Sequence, residues 1–449
     1  MALSGLDIFK KLPKTNCKEC GFPTCLAFAM KLAAGQIEIE ACPYVSEEAK
    51  TDLLEAAAPP IRKVTIGKDE NAFVIGEELV LFRHEKTFVH PPGFGILVKD
   101  DLSDSEIEDK VKKINEVSYE RVGQVLKANI IAVESTKDAA RFTEVVKKIK
   151  NLTAIPLVLM SKDPSVIKSA LDLVGDGKPL IYGANKDNYE QMTGLAKEYN
   201  CPLTVISDNG LASLAETTEK IANLGLKEIV LDPTSVSLDV ALKDLVFIRR
   251  AALQKKFRPL GYPVITFPYR QAEDDYTEAL VAAVYLLKYA GIIVFNSLEP
   301  WKALPLMVLR QNIFTDPQRP LTVDEGVYEI GKPDENSPVL VTTNFSLTYF
   351  IVSSEVETSR VPSWLCIMDA EGLSVLTAWA AGKFTPERIA PFIKRSGIND
   401  KISHNKLIIP GYLAQISGEL EDELSDSWKV VIGPREAGDL PAFLKSWSP

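Results

Sequence analysis

The chain has 449 residues, with 51 Lys and Arg against 61 Asp and Glu, and a net charge of −10. That length exceeds one compact core and predicts two or three domains, while 46% hydrophobic and 25% charged residues exclude a disordered chain. A pI near 5.2 without any basic run excludes an electrostatic grip on nucleic acid.

The opening stretch, MALSGLDIFKKLPKTN, lacks the apolar core of a signal peptide, so a cytoplasmic location and reduced thiols are expected. Cys17, Cys20, Cys25 and Cys42 then follow as C-x2-C-x4-C-x16-C. Four thiolates at such spacing suit an iron–sulfur cluster or a zinc ion, and disulfides explain them poorly in a reducing compartment. Four-cysteine zinc sites usually show two C-x2-C knuckles, and only one is present here. Gly21 and Pro43 beside the ligands suit the tight backbone around a [4Fe-4S] cluster, which is the favoured occupant. Helical stretches are expected at 26–34 and 46–58, ending at Pro59-Pro60, so residues 1–58 form a small metal-stapled domain. Cys201 and Cys366, beside apolar runs, read as buried bystanders.

Residues 64–84 alternate apolar and polar and predict a short hairpin, a connector or lid for the adjoining domain. Eight strand candidates come next, at 94–98, 129–133, 156–160, 180–183, 203–206, 228–231, 264–267 and 292–295. Each precedes a helix-like stretch, with start signals at Ser105-x-x-Glu108, Ser135-x-x-Asp138 and Asp163 before Pro164, and helix stops at Gly225 and Gly291. Eight βα repeats predict a (β/α)8 TIM barrel over 59–314, the usual size being about 250 residues. The apolar run 279–295 carries Lys288 and Gly291 and is short for a membrane span; it reads as a buried helix followed by a buried strand.

Residues 315–338, rich in Pro, Asp and Glu, predict a linker and a hinge. A second alternation follows, with strands at 339–342, 365–368, 406–409 and 429–432, which predicts a Rossmann-like domain of four parallel strands over 339–449. Ligands of such sheets sit beyond the carboxyl ends of the strands. The candidate binding residues there are Thr342, Thr343, Asn344 and Thr348, then Gly372, Leu373, Ser374, Val375 and Leu376. Gly411, Tyr412 and Leu413, with Gly433, Pro434, Arg435 and Glu436, complete the set. No G-x-G-x-x-G follows the first strand, which disfavours a nicotinamide cofactor. In the barrel, Glu134, Asn185, Asp208, Asn209, Asp232 and Asn296 fall at strand C-termini, where turn and cap chemistry is the favoured account and a ligand site the alternative.

The run CKECGFPTCLAFAMKLAAGQIEIEACP resembles the four-cysteine domain of corrinoid iron-sulfur protein large (gamma) subunits, and the order of cluster domain, barrel and Rossmann-like domain is similar to that family along essentially the whole chain. The resemblance implies a methyl carrier of the reductive acetyl-CoA (Wood-Ljungdahl) pathway of anaerobes, with the cobamide in the C-terminal domain. It implies that Co(I) of a bound cobamide accepts a methyl group from methyl-tetrahydrofolate on a partner methyltransferase and delivers it to acetyl-CoA synthase. The [4Fe-4S] cluster on Cys17, Cys20, Cys25 and Cys42 would reactivate Co(II), drawing on a low-potential electron donor. A small barrel subunit would complete a heterodimer with CO dehydrogenase/acetyl-CoA synthase as a further partner. The Asp-x-His-x-x-Gly loop of better-known corrinoid proteins is missing, and His404 precedes a strand at the wrong end of the sheet, so it reads as a surface residue. A cobalt held with neither an axial protein ligand nor a base, and no catalytic residue, is what the resemblance implies. The alternatives are a pterin-dependent methyltransferase acting through the barrel, and an iron–sulfur electron-transfer or scaffold subunit.

Overall fold

The eight expected strands are formed as β1 (Gly93–Lys99), β2 (Ile130–Glu134), β3 (Leu157–Met160), β4 (Leu180–Ala184), β5 (Leu203–Ile206), β6 (Ile229–Asp232), β7 (Val264–Thr266) and β8 (Ala290–Phe295) in a computed structural model. The structure describes the chain except residues 1–4, 34–35, 48, 51–52, 54–57, 122–123, 317–319 and 425–427. The strands pair in parallel in chain order and β8 closes on β1, giving the TIM barrel. Near-continuous burial along each strand follows from packing on both faces, inward into the barrel and outward against helices. Leu97, Ile130, Val158, Leu180, Val230, Ile265 and Ile292 belong to one apolar cluster. Helix Ala139–Leu152 shows the outer ring's logic, burying Phe142, Val145, Val146 and Ile149 on one stripe.

The hairpin expected at 64–84 is shorter than its apolar pattern suggests, pairing only Val64–Ile66 with Phe73–Ile75. Val64, Ile66 and Ile75 join the barrel's interior cluster, and Thr65 N–H donates to Glu228 just before β6, so the hairpin closes the N-terminal end. Three boundary signals shift. The first helix is capped by Ser103 and Glu106 rather than Ser105 and Glu108. Asp138, not Ser135, caps the next, because its carboxylate is the group that reaches Arg141 N–H. Gly291 lies inside β8 and not at a helix stop; Tyr289 takes the left-handed turn instead, while a Cβ at Gly291 would meet Pro263 at 3.1 Å. Asp163 and Gly225 stand where expected. The run 279–295 is divided between helix Asp275–Leu287 and β8, and no helix among the described residues is long and apolar enough to cross a membrane.

The C-terminal sheet has five strands, β9 (Gly326–Ile330), β10 (Val339–Thr343), β11 (Ser363–Met368), β12 (Lys406–Ile409) and β13 (Lys429–Ile432), in the order β9-β11-β10-β12-β13. The last four are parallel, as expected. β9 is the correction: it runs antiparallel to β11 over Gly326–Ile330, inside the stretch expected to be a linker. Thr322 bridges Phe345, and Val323 N–H donates to Asn344 O, so the segment from 322 onward is built into the sheet. By compactness the chain divides into Met1–Leu81, Val89–Ile114 and Asn129–Lys302 on one side and Phe82–Phe88, Asn115–Ala128 and Ala303–Pro449 on the other. The expected hinge at 315–338 therefore lies within the second unit. An unexpected hairpin, Ser118–Arg121 with Gln124–Lys127, also belongs there.

Candidate functional site

The four N-terminal cysteines lie on a tightly wound loop and a returning turn. Lys14, Asn16, Lys18 and Gly21 all have positive φ, and Asn16 Oδ1 accepts the Cys25 N–H at 2.8 Å, fastening the loop to the start of helix Cys25–Ala33. The helix expected at 26–34 is thus present, while that at 46–58 falls largely outside the described residues. Cys42 ends the 3-10 turn Ile39–Ala41 and donates its N–H to Ile39 O. Cys25 and Cys42 are buried with Ile8, Leu12, Phe28, Ala29 and Ile39, Cys20 packs against that cluster, and Cys17 and Cys20 are partly exposed. Cys17 also lies near the Tyr44 hydroxyl, which a hydrogen bond to Glu19 holds above its ordinary range. All four thiols are free, and no three His, Cys, Asp or Glu side chains among the described residues stand in metal-ligating geometry. An all-thiol donor set at the margin of an apolar cluster fits an iron–sulfur cluster by its chemistry.

The second site lies where the C-terminal strand order reverses, since the chain runs from β10 outward to β11 on one side and to β12 and β13 on the other. Such a reversal leaves a crevice beyond the carboxyl ends of the strands. A cavity of about 270 Å³ occupies it. Of the expected residues, Thr342, Thr348, Val375, Tyr412, Gly433, Pro434, Arg435 and Glu436 line this cavity. Thr342 Oγ1 and Thr343 Oγ1 are buried with no hydrogen-bond partner among the described residues; that of Thr342, on the cavity lining, fits a bound group able to supply one. Tyr412 Oη donates to Glu436 Oε1 at 2.6 Å, which raises the phenol above its ordinary range.

The other expected residues, the fully buried Thr343 among them, do not line the cavity. Asn344 is a brace: Oδ1 accepts the N–H groups of Ala370 and Gly372, each at 3.0 Å, and Nδ2 donates to Asp369. Gly372 has φ +73°, and a Cβ there would sit 2.8 Å from Thr322 Cγ2, so it admits neighbouring chain. Gly411 likewise lets two loops touch, its Cβ position lying 2.4 Å from Gly433 O. Leu413 is core, Leu373 packs against the core, Leu376 is exposed, and Ser374 pairs with Thr377. What the sequence reading missed is the apolar lining from strands and helices: Leu340, Ile351, Val352, Ile408 and Leu440. Ile351 and Val352 follow Thr348 at helical spacing, a signal that was available. His404 engages both ring nitrogens, with Ser337 O and Lys406 N–H, before β12 begins and away from the cavity end.

At the barrel's carboxyl end the turn account holds for most candidates. Asn185 accepts the N–H groups of Asp187 and Asn188, Asp208 and Asn209 are exposed, Asn296 offers its carbonyl to Lys110, and Glu134 faces Lys99 at 3.9 Å. Asp232 differs. It is buried and accepts from Tyr182 Oη at 2.6 Å, Arg270 at 3.1 Å and Thr234 N–H at 2.7 Å. Its side-chain partners come from β4 and from the turn after β7, and its backbone partner from the loop after β6.

The model of the family described as CO dehydrogenase/acetyl-CoA synthase delta subunit matches residues 63–444, and an Fe-S cluster family matches 12–44. The chain is 47% identical over 99% of both chains to the corrinoid/iron-sulfur protein large subunit of Moorella thermoacetica. It is 35% identical, over 99% of each, to the acetyl-CoA decarbonylase/synthase complex subunit gamma of Methanothermobacter thermautotrophicus. A dihydropteroate synthase structure from Thermus thermophilus covers 56% of this chain and 97% of its own at 16% identity, with a TM-score of 0.37, too loose a match to argue from. The delta description spans only the segment after the cysteines, whereas the whole-length relatives carry the large or gamma designation. The chain belongs to the family of corrinoid/iron-sulfur protein large subunits and their archaeal gamma counterparts.

Proposed function

We propose that this chain is the methyl-carrying large subunit of a corrinoid/iron-sulfur protein acting in acetyl-CoA synthesis or cleavage. The observation that carries the reading is the cavity at the strand-order reversal, with the unpartnered hydroxyl of Thr342 among its lining residues. A bound cobamide would supply a cobalt centre able to carry a methyl group between a methyl-tetrahydrofolate methyltransferase and acetyl-CoA synthase, and a [4Fe-4S] cluster held by Cys17, Cys20, Cys25 and Cys42 would supply electrons to it. The protein's share is positioning. Thr342 and Thr348 offer hydroxyls to the amides or nucleotide tail of the cofactor, and the apolar wall from Leu340, Ile351 and Ile408 excludes water.

Asn344 sets the loop carrying Asp369 to Gly372, and Tyr412 with Glu436 sets the opposite loop. The engagement of both His404 nitrogens supports a cobalt without a protein imidazole. A smaller barrel subunit, the methyltransferase, acetyl-CoA synthase/CO dehydrogenase and a low-potential electron donor are the partners in this reading. Anaerobic purification with cobalt, iron and sulfide analysis tests it, together with EPR of the Co(II) state. Cobalt with iron and sulfide is expected; zinc without cobalt overturns the reading, and nitrogen superhyperfine splitting overturns its ligand-free part.

A further inference from the structure

The barrel's carboxyl end holds a polar arrangement that the methyl-carrier reading leaves unused. Asp232, from the end of β6, and Tyr182, from β4, present one carboxylate oxygen and one phenol oxygen side by side, joined by a 2.6 Å hydrogen bond. Arg270 lays its planar fork across that pair, with one terminal nitrogen 3.1 Å from Asp232 Oδ2 and the other 3.1 Å from Tyr182 Oη. The guanidinium also lies over the Phe267 ring, 3.8 Å from its centroid, and Tyr182 meets the same ring edge-on. The other carboxylate oxygen is fixed by Thr234 N–H. Together these groups read a flat N–C–N edge: two adjacent oxygens for its hydrogens and an aromatic face for its plane.

Two further observations indicate a receptor rather than a closed ion pair. Arg270 reaches in from the short turn Pro268–Gln271 with its side chain 31% exposed, whereas Asp232 is 5% exposed, so the carboxylate belongs to the rigid barrel and the guanidinium to its rim. Thr204, paired in register with Tyr182 on the neighbouring strand, is fully buried, and its hydroxyl has no partner among the described residues. A cavity of about 130 Å³ lined by Asp232, Thr234, Phe267, Arg270 and Gln271 adjoins the fork. Burial and the Asp232 charge hold the Tyr182 phenol well above its ordinary range, so the phenol stays protonated and donates to the carboxylate.

We infer that the barrel mouth is a recognition site for a planar N–C–N donor edge, as carried by amidines, guanidines and 2-aminopyrimidin-4-ones, and that Arg270 keeps it shut by filling it from within the chain. The full-length protein is therefore closed to such ligands until that side chain leaves. The test compares full-length wild type, Arg270→Ala and Arg270→Ala with Asp232→Asn, using methylguanidinium and 2-aminopyrimidin-4-one as probes in calorimetric titration and thermal melting. Arg270→Ala is expected to melt lower than wild type, to recover with millimolar probe, and to bind the aminopyrimidinone roughly tenfold or more tightly than wild type. The double variant, whose amide presents donors to donors, is expected to show neither response. If Arg270→Ala is recovered only as aggregate, Arg270→Gln takes its place, and the yield of refolding with and without methylguanidinium gives the same reading. Equal binding by wild type and the single variant overturns the inference, as does a folded single variant that ignores both probes.

Discussion

At the scale of single residues, an unpartnered polar atom and a braced one respond to mutation with opposite signs. Thr342 and Thr343 each bury a hydroxyl without a partner among the described residues, so Thr→Val at either position is expected to stabilise the unloaded chain by about 1 kcal/mol. Thr342→Val, at the cavity lining, is also expected to weaken corrinoid binding, whereas Thr343→Val is expected to leave it unchanged. Urea unfolding beside a corrinoid titration separates the two effects, and a loss of stability without the cofactor refutes the account. Asn344→Ala instead strands two buried N–H groups and is expected to cost about 2–4 kcal/mol. The cysteines divide similarly. Burial pushes the thiols of Cys201 and Cys366 up to about 12, so both stay protonated in the folded protein. Because an unfolded thiol ionises near pH ~8.5, their contribution to stability is complete below that pH and declines as the pH rises toward 12. Alkylation of the iron-free native chain at pH 8 is expected to label Cys17 and Cys20 most readily, and to reach Cys201 and Cys366 only in denaturant. Labelling of those two in the native chain counts against it.

Elements show where sequence pattern is a sufficient guide and where it is not. The barrel strands were legible because each is a short apolar run between helices with capping residues, and burial on both faces demands that pattern. β9 was not legible, because the segment GVYEI sits among prolines and acids and finds its partner only in β11, far along the chain. The apolar lining of the C-terminal cavity was missed for a related reason: Leu340 and Ile408 look like strand core whether a ligand or a side chain covers them. Asp232 could be placed at a strand end, but Tyr182 lies 50 residues before it and Arg270 38 after, distances that no local motif spans. The link between helix Asp275–Leu287 and the residues after β8 carries its own prediction. Lys302 is fully buried against Glu278 and also reaches Asp275. Lys302→Met leaves the Glu278 charge buried alone and is expected to cost about 3–5 kcal/mol. Adding Glu278→Gln, which keeps the acceptor for Asn296 N–H, is expected to restore most of that loss in chemical denaturation; no recovery refutes the pairing as its origin.

For the whole molecule, the division into two compact units, each with apolar clusters of its own, predicts two unfolding transitions. A corrinoid bound in the C-terminal cavity is expected to raise only the transition of the second unit, by about 2.7 kcal/mol at a hundredfold excess over its Kd. A single transition that moves as one under calorimetry rules this out. The unpartnered hydroxyl of Thr342 then acquires a meaning for the protein's life in the cell. If the proposed corrinoid supplies the partner that Thr342 lacks, copies without it populate opened forms more often, and proteases draw from those forms. On the proposed reading, turnover is expected to remove empty copies ahead of filled ones, so that pulse-chase of cells starved of corrinoid shows a shorter lifetime for this chain than in cells supplied with it.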